Sequence, residues 1–515
     1  MQRAIRSNGT SRVCVVGAGV SGLTSAGILI SRGFDVTILE ARNRIGGRLC
    51  QSSTLGPLVD LGANWIHGTE SNPIAQLAQE VAAVTSACGT VNSMFDTDGK
   101  QLPSKNAGAL YEEVWRILDE GYQYSAQQSH LIKSSEKMMD FFREQVAHGQ
   151  YDVQTQEKLL HIVEMWGAFI GTDWERQSLK FFWLEQGIDG DNLFLASTYQ
   201  RIVDHLAQPT RTGGNLRLST EVVHVKHCKT VSGQHAGVLI QTRAGAQEMF
   251  DEVVFTTPLG WLKRHQTAFH PPLPARLAKA FNAIGIGNLD KVYIHFPAAF
   301  WISRSDASHR HSQDFPIETL FLKPNYAEAS NPAHWRQEML SLASLPAGYS
   351  HPTLMFYVYG EWGEYITKSV RGMRQDSQEY YDALDKHFQP YYSRLPGYDP
   401  CSSDCKPKSY LSSDWQGDEF AGYGSYCNYP TGLEDGARDI EVMREGMGAD
   451  RGIWFAGEHT APFPGLGTVA GAYWSGQQVA KDLCKLYGKD VSNIDGDIDG
   501  EPNHHPLRGA SPVIE

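Results

Sequence analysis

The chain has 515 residues, a formal net charge of -13 and an ordinary globular composition, 41% apolar and 20% charged. That length exceeds one typical core and predicts two domains, while the acidic balance disfavours nucleic acid as a partner and suits a cationic small molecule. No apolar run approaches the ~18 residues of a membrane span, so a membrane is not an expected partner.

The first residues, MQRAIRSNGTSR, are charged and lack the apolar region of a secretory signal; Asn8-Gly9-Thr10 is a single glycosylation sequon. The chain then runs RVCVVGAGVSGLTSAGILISRGFDVTILEARNRIGGR from Arg12 to Arg48. A short apolar run at Val13 to Val16, a Gly-rich turn, helically spaced Leu23, Ala26, Gly27 and Ile30, and a second apolar run at Val36 to Leu39 predict one βαβ unit. Gly17 permits a tight turn, Gly19 lets backbone approach a pyrophosphate at the helix N-terminus, and Gly22 permits close helix–strand packing. Glu40 ends the second strand, placed to accept hydrogen bonds from a ribose diol. The motif alone does not separate NAD from FAD. The following Ala41 to Arg48, with Gly46-Gly47-Arg48, resembles the extended FAD signature of the flavin-containing amine oxidases, in which Arg48 would face the pyrophosphate. The cofactor that this resemblance implies is FAD.

Next, Gly56 to Gly68 contains Asp60-Leu-Gly-Ala-Asn-Trp-Ile-His67, a strand running into a Gly-flanked turn. In the polyamine oxidase branch of that family a His at the position of His67 lies beside the substrate amine; by itself His67 reads equally as a turn residue. Residues 76–205 are mostly helical in pattern, with amphipathic stretches at Tyr111 to Leu118 and Glu157 to Trp166. Phe95-Asp-Thr-Asp-Gly-Lys100 reads as a hairpin turn, since Asp-Gly favours one. Resemblance to fungal polyamine oxidases makes Asp96 and Asp98 candidates for gripping a distal ammonium and Trp166 a tunnel residue, although a core Trp on a helix fits the pattern as well.

Strand alternation returns at Asn215 to Val222 and Asp251 to Leu262, segments similar to the second part of the family's FAD domain, where Val222 would meet the adenine. Gly287 to Phe296 predicts a strand with Lys291 near its start; such a Lys is usually a solvated edge charge, but the family places one there, bonded through water to flavin N5. Thr353 to Tyr359 predicts a further strand and Gln375 to Phe388 a helix. From Pro407 onward, Trp415, Ser425-Tyr426, Glu458 and Gly465-Leu-Gly-Thr468-Val469 follow the order of the family's C-terminal signature, with small residues at 465, 467, 471, 472 and 476 for close approach to the flavin. The resemblance puts Glu458 at the ribityl–pyrophosphate end, Trp415 and Val469 against the cofactor, and Tyr426 with Thr468 beside the ring. Val479, Leu483 and Leu486 continue as a closing helix.

Eight cysteines, at 14, 50, 88, 228, 401, 405, 427 and 484, are scattered, with Cys14 inside a predicted strand, which suits free thiols in a reducing compartment. Cys401 and Cys405 are near enough to pair, but nothing completes a zinc site, and no metal is expected. The acidic, turn-rich residues 491–515 read as a disordered tail. Asp495, Asp497 and Asp499 mimic the start of a calcium loop whose twelfth position, Pro506, is not a ligand, and His504-His505 would bind metal only adventitiously. The C-terminus SPVIE is no Ser-Lys-Leu address, so cytoplasm is the default, with peroxisomal or processed secretory routes left open.

The expected architecture is α/β: a discontinuous Rossmann-like FAD-binding domain (1–75, 206–290 and 405–490) interleaved with an α+β substrate-binding domain (76–205 and 291–404). The activity implied by resemblance is oxidation of polyamines by non-covalently held FAD and O2, at a secondary amine, to an aldehyde, a shorter amine and H2O2. Rival readings are a monoamine oxidase, which would carry Cys at Ser425 and a membrane anchor, and an L-amino-acid oxidase, which would need an Arg for carboxylate. A histone demethylase would need extra helical segments, and a non-enzymatic Rab-escort-like binder would lose Lys291, Trp415 and Glu458. The preferred polyamine, the C–N bond cleaved and the oligomeric state are not legible.

Overall fold

In the computed structural model, residues 10–87, 91, 93–231, 235–302, 315–492 and 494 are described. Strand β1 (Arg12–Val16), helix α1 (Val20–Ser31) and strand β2 (Asp35–Leu39) form the βαβ unit. Its strands are mostly apolar because both faces are covered: Val13, Val15, Val36 and Ile38 enter one core, and Cys14, Val16 and Leu39 another. β1 and β2 pair in parallel. Glu252–Phe255 and Ile453–Phe455 extend the sheet beyond β1, and Asn215–Arg217 beyond β2, all parallel. Segments far apart in sequence thus build one five-stranded sheet.

The first face is covered by α1, Gln200–Gly213 and the C-terminal helix Val469–Leu486, through Leu23, Ala26, Ile202, Val203, Val479 and Leu483. Helix approach there depends on Gly476, where a Cβ would stand 2.4 Å from the Ser21 carbonyl oxygen. Over the other face lie a four-stranded sheet (Val222–Lys229, His235–Thr242, Gln247–Phe250, Phe269–His270) and the helices Ala275–Ala283 and Gly436–Glu445.

A six-stranded sheet runs in the order Ser409–Ser412, Leu289–His295, Thr353–Tyr359, Gln337–Ser341, Glu318–Phe321, Met94–Phe95, antiparallel except for the last pair. Gly360–Val370 and Gln378–Tyr392 cover one face; the other carries Tyr293, Leu340, Met355 and Tyr357 toward Trp65 and Phe194. Ser104–Gln128, Met138–His148, Val153–Val163 and Trp166–Ile170 form a helical block with its own core.

Several elements differ from the sequence reading. The stretch Glu157 to Trp166 is divided, Val153–Val163 ending before Trp166 starts a new short helix. The helix expected from Gln375 begins at Gln378, because the Ser377 side chain accepts the Tyr380 N–H as an N-cap. Asp96 does turn a hairpin: its N–H donates to Lys100 O at 2.9 Å, and Gly99 takes φ +81°. Cys401 and Cys405 are not paired. Cys405 is buried, with its sulfur bonded to the Asp399 N–H and the Gly397 carbonyl, whereas Cys401 is exposed; the seven described cysteines are all free. Cys88, the calcium-like aspartates and His504-His505 lie outside the described residues, as do Asn8 and nearly all of the tail. Among the described residues no helix is long and apolar enough to cross a membrane, and no group of three or more His, Cys, Asp or Glu could hold a metal ion.

Candidate active site

The Gly-rich turn is shaped by close approaches. The Gly17 N–H donates to Leu39 O at 2.9 Å, and Thr256 Oγ1 donates to the carbonyls of Val16 and Gly17. A Cβ on Gly22 would fall 2.1 Å from Gly17 O, so only glycine fits there. Gly19 is different: a Cβ on it would meet nothing within 4 Å. Gly19 is the N-cap of α1, no side chain caps that helix, and its first turn has no acidic residue. The open side of the turn therefore faces free N–H groups at the positive helix end.

Glu40, 6% exposed, accepts the Ala18 N–H at 2.7 Å and the Arg42 N–H at 2.8 Å, so its carboxylate lies beside that turn. Its carbonyl accepts the Thr220 N–H, which brings buried Val222, two residues on, to the same end of the sheet. Arg48 Nη1 donates to Glu458 Oε1 at 3.0 Å and to the Ser425 carbonyl at 2.6 Å. Burial alone would raise the Glu458 carboxyl, but Arg48 and further partners hold it below its usual range. Loops 410 residues apart thus meet around one ion pair, which spacing alone could not show.

Lys291 departs most from its bland reading. It sits in Leu289–His295 between two partner strands and is 4% exposed. Its Nζ donates to the carbonyls of Gly62 and Asp60 and lies 5.8 Å from the Tyr357 ring centre. Burial lowers its pKa well below the ordinary lysine range, against the opposing field of Asp60, whose own carboxyl burial raises. Asp290, absent from the sequence reading, is buried and organises the neighbourhood: its Oδ1 accepts from Ser413 Oγ at 2.7 Å and the Trp415 N–H at 2.8 Å. Trp415 Nε1 in turn donates to Leu61 O at 2.9 Å.

His67 and Thr468 line one small cavity together with Trp65, Tyr199 and Val469. Burial lowers the His67 pKa, opposed by a hydrogen bond from the ring to Asn192, whose Oδ1 also accepts the Gly68 N–H. Thr468 has a structural duty as well: its Oγ1 donates to Gly465 O at 2.7 Å and accepts the Gly471 N–H as the N-cap of Val469–Leu486. Tyr426 donates its hydroxyl to Ala168 O at 2.6 Å. Ser425 Oγ exchanges hydrogen bonds with the backbone of Leu289, two residues from Lys291.

The other sequence candidates have partners of their own. Asp96 accepts the N–H groups of Asp98 and Lys100, which holds it in its own hairpin, and Asp98 is exposed. Trp166 is buried in the helical block, stacked on Phe169 at 5.0 Å and edge-on to Trp115, Tyr122 and Phe182.

These residues fit a flavin dinucleotide. The uncapped helix end with its open Gly19 suits phosphate, Glu40 suits a diol, and two of the buried polar groups near it lack partners among the described residues: Thr257 Oγ1, just after the Gly-turn clasp, and both ring nitrogens of His459, next to Glu458. Unsatisfied buried groups of this kind are costly unless a ligand pairs them. The chain is 26% identical over 488 residues to polyamine oxidase 4 of Oryza sativa subsp. japonica, covering 92% of this chain and 88% of that protein. It is 26% identical over 493 residues to polyamine oxidase 2 of Arabidopsis thaliana, covering 92% and 88%. A lysine-specific histone demethylase 1B homolog of Caenorhabditis elegans is 25% identical over 512 residues, covering 94% of this chain but 57% of that protein. Residues 20–484 match the model of the flavin containing amine oxidoreductases; the chain belongs to that family, whose cofactor is FAD.

Proposed function

We propose that the protein oxidises polyamines at a secondary amino group. The five-stranded parallel sheet with its Gly-rich turn would be the FAD-binding part, and the six-stranded sheet with the helical block the substrate-binding part. Bound FAD supplies a hydride acceptor for the carbon α to the amine; water then splits the imine into aldehyde and shorter amine, and O2 takes the electrons to leave as H2O2. Arg48, Glu458, Glu40 and the N-terminus of α1 hold the cofactor. Lys291, buried and deprotonating below the ordinary lysine range, is suited to hold a water and move its proton. His67, kept neutral by burial, can accept a hydrogen bond from the substrate amine.

The observation that carries the reading is the shared cavity of His67 and Thr468. By the resemblance to monoamine oxidases, which carry two facing Tyr rings here, Thr468 takes the place of the partner of Tyr426; a small residue there would leave one side of the slot open, and an internal nitrogen with carbon chains on both sides needs that width. The names of the plant relatives support the same substrate class. The test compares kcat/KM for spermine or N1-acetylspermine with that for benzylamine, in the wild type and in Thr468→Tyr. The wild type should favour the polyamine, and the substitution should shift the ratio toward benzylamine. A wild type that favours benzylamine defeats the reading. Because Thr468→Tyr also removes a helix cap worth about 1 kcal/mol, Thr468→Ala controls for the stability loss.

A further inference from the structure

Asp290 precedes Lys291 on the strand Leu289–His295, and successive side chains of a strand point to opposite faces. Lys291 reaches Asp60 and Gly62, whereas the carboxyl of Asp290, 0% exposed, is surrounded by donors on the other side. Its Oδ1 accepts from Ser413 Oγ at 2.7 Å and from the Trp415 N–H at 2.8 Å, and its Oδ2 accepts from Gln416 Nε2 at 3.4 Å. Three donors converging on one group suit an ionised carboxylate, which only accepts, better than an amide. Burial pushes this carboxyl up to about 6, against the pull of those donors, so it is charged at neutral pH.

Two of the donors lead back to the site. Ser413 Oγ also accepts the Lys291 N–H at 2.9 Å, and the Ser413 N–H donates to Lys291 O at 3.0 Å, so one hydroxyl joins the carboxylate to the Lys291 backbone. Trp415, whose N–H the carboxylate holds, donates its indole Nε1 to Leu61 O at 2.9 Å. Lys291 Nζ takes the carbonyls on either side, Asp60 and Gly62, and the Tyr293 hydroxyl donates to Asp60 O as well. Three consecutive carbonyls are thus clamped largely by two side chains whose backbones hang on Asp290. The clamped turn presses on the segment of Arg48: the Leu61 N–H donates to Cys50 O at 2.7 Å, and a Cβ on Gly62 would collide with Arg48 O.

A tie between two loops does not need a charge, and burying one costs free energy that a neutral linker would avoid. The charge acts on Lys291. Burial disfavours the ammonium form there, while the field of Asp60 and, after it, that of Asp290 favour it. The other titratable groups on the flanking elements do not compete: burial raises Tyr293 and Tyr357, which stay neutral, and on Ser409–Ser412 the Tyr410 hydroxyl is taken by Asp385.

We propose that Asp290 is a positioning residue for Lys291, tying its strand to the loop of Trp415 so that the two side chains clamp the carbonyls of residues 60 to 62 and the ammonium group keeps one station in the site. The inference rests on the proton-transfer role proposed above for Lys291, not on which amine is oxidised.

The test uses the FAD-loaded full chain, reduced anaerobically by spermine, or by benzylamine where spermine does not reduce it, and compares wild type, Asp290→Asn, Lys291→Met and the double variant across pH. Asp290→Asn should keep the flavin absorbance and FAD affinity of the wild type but slow reduction about tenfold, as a small misplacement of a reacting group does. Its rate should rise with pH from a point about half a unit more acidic, because loss of the anion lets Lys291 give up its proton earlier. In the Lys291→Met background the same substitution should change the rate by less than about twofold, since residues that act through one another are not additive. Equal losses in the two backgrounds are the mark of a merely structural role and overturn the proposal, as does an Asp290→Asn protein with unchanged rate and pH profile. Ser413→Ala cuts the tie to the Lys291 N–H while leaving the carboxylate in place, and it decides the matter if Asp290→Asn does not hold FAD. It should slow reduction severalfold in the wild-type background and not in Lys291→Met; equal effects in both overturn the proposal. If Lys291→Met is reduced and reoxidised as the wild type is, the roles of Lys291 and Asp290 fall together. If benzylamine alone reduces the flavin, the polyamine reading falls, and the comparison of the two backgrounds still decides on Asp290.

Discussion

Lys291 shows how much one side chain's meaning depends on its surroundings. A lysine near the start of a strand reads as a surface charge, yet here two flanking strands and the carbonyls of Asp60 and Gly62 enclose it. Its deprotonation is shifted downward by burial, so raising the pH through neutrality discharges it before an ordinary lysine would respond. The reacting nitrogen of the substrate also needs a free lone pair. Both effects have the same sign, and the rate of anaerobic flavin reduction should rise between about pH 6 and 9. Stopped-flow rates that stay flat over that range would contradict the proposed chemistry. Lys291→Met should lower turnover by ~10²-fold, the usual contribution of a positioned proton-transfer group, and should remove the enzyme's share of the pH dependence while leaving the substrate's. Unchanged reduction and reoxidation rates would take Lys291 out of the site. Asp290 and Asn192, which position Trp415 and His67, had no motif to announce them.

The turn between β1 and α1 separates two roles for glycine. At Gly22 an added methyl meets Gly17 O at 2.1 Å, so Gly22→Ala should disturb the packing of α1 and lower the melting temperature of the apoprotein. At Gly19 a methyl meets nothing, so Gly19→Ala should melt close to the wild type yet bind FAD more weakly, because the methyl fills space needed by a phosphate at the helix end. Differential scanning fluorimetry of apoprotein, paired with a flavin-binding titration, distinguishes the two. Equal FAD affinity in Gly19→Ala and wild type would remove the phosphate from that turn. The C-terminal helix combines a similar pair of duties, since Thr468 both caps it and lines the cavity with His67.

At the scale of the whole molecule, the residues proposed for cofactor and substrate come from both ends of the chain and from its middle. Arg48 meets Glu458 and Ser425, and Lys291 meets Asp60, Gly62 and Tyr357. FAD held this way is expected to be non-covalent, because Ser425, at the position of the flavin-linked Cys of monoamine oxidases, spends its hydroxyl on the Leu289 backbone. Acid precipitation should therefore release all yellow colour to the supernatant; colour retained in the pellet would show a covalent link. Local signals carried the βαβ unit, the hairpin at Asp96 and the strand Thr353–Tyr359, because turn chemistry and apolar periodicity are properties of neighbouring residues. They also carried the family's cofactor motifs, whose residues are dictated by close backbone approach. Tertiary structure alone decided that Lys291 is enclosed, that Asp96 is occupied by its own turn, and that Trp166 packs among aromatic rings. The physical reason is that burial and charge balance are set by strands and helices distant in sequence, and no local pattern records which of them will meet.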